Sequence, residues 1–142
     1  MMYATVADMV ARFGPDEIIR LSTPSGQDLV GVQSAPVLTA LEEASSQIDS
    51  YLRRRYAVPL DVVPAEILRA TCHLARYDLQ MGEQKEPSEQ ARLARKEAIE
   101  WLTKITEGKV VLDLQQVPAG DESFSQAQAR DEVFSSGGGG WP

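Results

Sequence analysis

The sequence predicts an all-α fold, a small bundle of about five helices with an extended C-terminal tail that has room for one short strand, and three observations predict it. Apolar residues recur three and four positions apart through successive stretches as far as Ile105. Each stretch is bounded by residues that start or stop helices: Thr5, Gly14-Pro15, Pro64, Pro87 and Gly108. Beyond Gly108 the three-and-four spacing ends. The domain organisation follows, with a helical domain over 1–108 and an extended or flexible docking tail over 109–142.

Thr5 opens the first helix, because its hydroxyl can cap free amides and Asp8 falls three residues on, near the positive helix end. Val6, Met9, Val10 and Phe13 give that helix one apolar face. Gly14-Pro15 breaks it, and Pro15 opens a short second helix carrying Ile18, Ile19 and Leu21. Residues Ser22 to Ser34, broken by Pro24, Gly26 and Gly31, read as a loop. In the third helix Val37, Leu41, Ala44, Ile48 and Tyr51 share a face that Glu42, Glu43 and Asp49 avoid. It runs through Arg53-Arg54-Arg55-Tyr56 into a proline elbow, Pro59-Leu60 to Val63-Pro64.

The fourth helix begins near Pro64, with Leu68, Cys72, Ala75 and Leu79 on one seam that Ile67, Thr71 and Leu74 widen. Opposite that seam Glu66, Arg69, His73, Arg76 and Gln80 form a polar, locally basic stripe facing solvent or a partner. After a turn at Gly82 to Glu86, Pro87 opens the fifth helix, whose expected buried face is Ala91, Ala94, Ala98, Trp101 and Ile105. Glu100 and Lys104 make a favourable i,i+4 pair, and Gly108 terminates the helix. Val110, Leu112 and Leu114 alternate with Val111 and Asp113, the pattern of a short strand. From Gln115 onward polar and small residues prevail, so Val133, Phe134 and Trp141 read as anchors for a partner rather than as a core.

Composition narrows the function classes. A chain of 142 residues suits one domain, which buries roughly two-thirds of the surface its unfolded form exposes. No apolar run approaches the ~18 residues of a membrane span, and Met1-Met2-Tyr3-Ala4-Thr5 lacks the features of a signal peptide, so folding in a cytoplasm is expected. One cysteine and one histidine give no disulfide and no thiolate–imidazole cluster, and neither a metal nor a cofactor is expected. A net charge of -7 opposes tight non-specific binding to duplex phosphates.

Candidate chemistry is correspondingly thin. Cys72 and His73 are adjacent, but neighbours on a helix point about 100° apart, so they form no dyad. Cys72 belongs to the apolar seam, and no phosphate loop, nucleophile elbow or pocketed carboxylate pair supports an enzyme. Around the third helix Arg53 points away from Tyr51 and follows Asp49 by four residues, a favourable surface pair. Arg54 and Arg55 lie within about 60° of Tyr51 and can reach an acidic group on another helix or subunit. The candidate interface residues are Arg54, Arg55, Tyr56, Arg69, His73, Arg76, Val133, Phe134 and Trp141.

The opening Tyr3 to Gly14, the run Ile48-Asp49-Ser50-Tyr51-Leu52-Arg53-Arg54-Arg55-Tyr56 with Pro59-Leu60 and Val63-Pro64 after it, and Ala75-Arg76-Tyr77 occur in an order that resembles the Mu-like phage neck family. Gly108-Lys109-Val110 and Val133-Phe134-Ser135 fit the same pattern. The resemblance implies a head-tail connector, or adaptor, without enzymatic activity, present in the virion neck and in the host cytoplasm during assembly. It implies a ring of about twelve copies, closed by head-to-tail contacts beneath a portal protein. A downstream neck or tail-completion protein would be the other neighbour. Genomic DNA would pass without sequence-specific contact and no membrane would be involved. The competing reading is a helix-turn-helix DNA-binding regulator, in which Gly82 to Pro87 links the fourth and fifth helices and Arg92, Arg95 and Lys96 touch phosphates. That turn is long for the motif, base-reading Asn and Gln are sparse on the fifth helix, and the overall charge is acidic.

Overall fold

The computed structural model describes residues 1–82 and 86–114, which form an all-α bundle. Its helices are α1 (Val6–Phe13), α2 (Pro15–Ser22), α3 (Ser34–Leu52), α4 (Ala65–Met81) and α5 (Glu89–Thr106). The two helices of the α1–α2 pair are separated by Gly14 alone, whose φ of 89° only glycine adopts without strain. Thr5 and Asp8 complete a reciprocal capping box, with Asp8 N donating to Thr5 Oγ1 at 3.0 Å and Thr5 N to Asp8 Oδ2 at 2.8 Å.

The core sits where α3 packs on α4 and α5, with α1 and α2 laid across α3 and α4. Val37, Leu41, Ala44, Ile48 and Leu52 of α3 are fully buried, and each large aliphatic side chain there contributes about 1.5–3 kcal/mol. On α4 the buried set is Ile67, Ala70, Thr71, Cys72, Leu74, Ala75 and Leu79, while Leu68 is half-buried at its edge. On α5 Ala91, Ala98, Leu102 and Ile105 are buried, whereas Ala94 and Trp101 are half-buried. The expected face of α5 is thus turned toward Leu102, because α5 lies against both α3 and α4. That turn leaves Trp101 at the edge of a groove.

Residues 110–114 form no strand, although Leu112 is buried and Val111 is exposed as their alternation requires. Their backbone groups are used otherwise. Lys109 N and Val110 N both donate to Lys104 O, at 2.8 and 3.3 Å, and Leu112 N donates to the Tyr56 hydroxyl at 2.8 Å. The segment therefore folds back over the end of α5, and packing continues through Leu114. The tail anchors Val133, Phe134 and Trp141 lie outside the described residues.

Candidate functional site

Two regions gather the predicted site residues: the elbow between α3 and α4, and a cleft bounded by α1, α2, α4 and α5. At the elbow, Tyr56 is 2% exposed and its hydroxyl accepts from Leu112 N, so it is a core residue. Arg55 is half-buried and turns inward: its Nε donates to Thr106 O at 3.0 Å, at the C-terminus of α5. A guanidinium there complements the negative end of the helix dipole. Thr106 Oγ1 donates to Tyr51 O at 2.8 Å, so the end of α3 and the elbow after it are each tied to α5. Gly108, at φ 80°, lies so close to the Arg55 guanidinium that an added Cβ would fall 2.8 Å from Nη2.

Arg53 and Arg54 are exposed, and neither forms an ion pair among the described residues. The expected Arg53 partner, Asp49, instead accepts a hydrogen bond from the Tyr3 hydroxyl. Tyr3 is 2% exposed, donates its N–H to Ser45 Oγ at 3.0 Å, and accepts at its hydroxyl from Leu60 N at 2.9 Å. Burial and the Asp49 bond push the Tyr3 phenol up to about 12. Tyr3 thereby fixes the N-terminus to both α3 and the elbow.

The cleft encloses about 790 Å³. Phe13, Ala70, Ala94 and Ala98 contribute to its floor, with half-exposed Leu93 and half-buried Trp101 beside them. The predicted basic stripe of α4 faces into it but divides there. Arg76 is 8% exposed and spent: its Nε donates to Glu17 Oε2 at 2.6 Å, and its Nη2 to Glu17 Oε1 at 3.2 Å and Gln90 Oε1 at 3.4 Å. The same guanidinium stands 4.6 Å over the Phe13 ring, so one side chain clamps α1, α2, α4 and α5. Arg69 and Arg12 are exposed, without ion pairs among the described residues, as are the carboxylates Glu66 and Glu97.

His73 is half-buried between these groups, edge-on to Phe13 at 5.6 Å, and its Nδ1 is buried without a hydrogen-bond partner. Burial lowers its pKa from the usual 6.5, and the charges of Arg69, Arg12 and Arg76 lower it further against the opposing pull of Glu97. The imidazole is therefore neutral at neutral pH. Cys72, just behind, is fully buried, and burial raises its thiol pKa more than Arg12 lowers it. In this arrangement charged groups of both signs stand around an apolar, aromatic floor.

Sequence spacing places Arg69, His73 and Arg76 on one face of α4, and the structure agrees. It gives no sign of Glu17, Phe13 or Arg12, which come from elements 59 positions or more distant from Arg76 in the case of Glu17 and which no local pattern connects to α4. On the far side of α4, Arg95 stands 4.7 Å over the Tyr77 ring, and Asp78 has its pKa raised by burial and by Glu43, less the effect of Arg95. Arg92 donates to Pro87 O at 3.2 Å and pairs loosely with Glu86 at 3.6 Å.

Fold and cleft together define a small helical-bundle module with an open cleft on one side. The chain belongs to the family described as Bacteriophage Mu, Gp36, whose model matches residues 3–130. It is 32% identical over 142 residues to the Mu-like prophage FluMu protein gp36 of Haemophilus influenzae, with 99% of this chain and 93% of that protein covered. It is 34% identical over 143 residues to gene product J of Escherichia phage Mu, with 95% of each covered. It is therefore a phage protein.

Proposed function

We propose that the chain is the head-tail connector subunit of a Mu-like phage, a structural virion protein that closes into a ring of about twelve copies under the portal and extends the DNA channel toward the tail. The observation that carries the reading is unneutralised charge of opposite sign on separate surfaces of a phage-family bundle. Arg54 projects at the elbow without an ion pair among the described residues, while Glu42 and Glu43 are exposed on α3, and Glu43 raises the pKa of Asp78 on α4 against the opposing effect of Arg95. Such a pattern suits head-to-tail contact, in which one surface meets a different surface of the next copy.

The portal protein and a downstream neck or tail-completion protein are the other proposed partners. Genomic DNA passes without specific contact, a role that a net charge of -7 favours by keeping phosphates from adhering. The reading assigns no catalytic step to the chain. Of the three α5 cations in the helix-turn-helix alternative, Arg92 is engaged with Pro87 and Glu86 and Arg95 with Tyr77, which leaves Lys96 exposed without an ion pair among the described residues. Deleting the gene from the encoding phage tests the proposal. Filled heads and free tails that fail to join are expected, and normal particles without the protein would overturn it.

A further inference from the structure

The cleft described above is open, apolar-floored and edged by two arginines without ion pairs among the described residues, Arg12 and Arg69, and by two carboxylates, Glu66 and Glu97. We propose that it is a peptide-docking site whose occupant is the chain's own segment Arg130-Asp131-Glu132-Val133-Phe134. Three features of the chain support that occupant. First, the segment carries two acids and one base beside two large apolar residues, which is the complement of two arginines and two carboxylates beside Leu93 and Trp101. Val133 and Phe134 supply the buried area, and Asp131 and Glu132 meet Arg12 and Arg69.

Second, the segment can reach. The chain passes Leu114 next to the C-terminal end of α5, where Leu112 is tied to Tyr56. Trp101 lies about 7.5 Å back along the α5 axis from Thr106. The sixteen residues 115–130 span at most about 55 Å, several times the ~17 Å between Gln90 and Trp101. Third, a covalent link makes docking intramolecular, with an effective concentration in the millimolar range that a second copy in dilute solution does not match.

Docking itself does not depend on the connector reading. A consequence does rest on it: the segment would be held on its own subunit until portal or neighbour draws it away.

Trp101 and Trp141 are the chain's two tryptophans, so Trp141→Phe leaves Trp101 as a reporter inside the cleft. Acrylamide quenching of Trp101 is compared between the full-length W141F chain and the same chain with Asp131→Lys and Glu132→Lys. Those substitutions lie outside the described residues, and quenching is expected to rise about twofold, equally at about 1 and 100 µM protein. Adding Arg12→Glu and Arg69→Glu to the lysine variant is expected to restore protection. Equal quenching with and without the tail substitutions would overturn the proposal. Protection that grows with protein concentration would also overturn it, since the occupant would then be a second copy.

Discussion

Arg76 carries more of the bundle than any other charged side chain described. Its guanidinium is desolvated and answered by both oxygens of Glu17, so removing it leaves a largely buried carboxylate without its partner. Arg76→Ala is expected to lower stability by about 3–5 kcal/mol, measured by urea unfolding at pH 7, and Arg69→Ala by less than about 0.5 kcal/mol because Arg69 is exposed. Equal losses would contradict the clamp. His73 supplies a second expectation. Its folded pKa lies below its unfolded value, so below the usual 6.5 the unfolded chain binds the proton first and stability falls with pH until the folded imidazole is also protonated. His73→Gln should flatten the stability profile just below pH 6.5, and an unchanged slope would show that another group titrates there. At this scale the sequence was only partly legible. Spacing gave the α4 face correctly, but whether a residue on that face is free, like Arg69, or consumed, like Arg76, is decided by Glu17 on a distant element.

Helices and their ends were the most legible level. Thr5, Pro15 and the three-and-four spacing of α3 act through local geometry, and the elements they predict are present. The α5 face was misjudged by one position because α5 packs against two helices, which favours Leu102 over Trp101. Residues 110–114 resembled a strand because inside–outside alternation also describes an extended segment laid on a core. Arg54 and Arg55 were read as able to reach an acidic group on another helix or subunit; Arg55 does cross to another helix, but its acceptor is the Thr106 carbonyl at the end of α5. Gly108 permits that crossing. Gly108→Ala, which brings a Cβ to 2.8 Å from the Arg55 guanidinium at φ 80°, should cost about 1–2 kcal/mol. In an Arg55→Ala background part of that cost should vanish, and strict additivity in the thermal unfolding of the double variant would count against the contact.

For the molecule as a whole, the distinction between Arg54 and Arg55 becomes an assembly prediction. Arg55 secures the fold and Arg54 does not, so Arg55→Glu should lower the melting temperature while Arg54→Glu leaves it unchanged and reduces ring formation. A melting-temperature loss in Arg54→Glu would remove that separation. The fold class was readable from one sequence because helix periodicity is local, and the order of motifs was enough to suggest the phage family to which the chain belongs. The cleft was not readable, since four helices build it and only one contributed a recognisable stripe. The connector proposal stands or falls on assembly. Electron microscopy of the full-length chain mixed with its phage's portal protein measures this most directly. End-on views of a closed ring, about twelve subunits round and coaxial with the portal, are expected; bare portals beside a strictly monomeric chain would contradict the connector proposal.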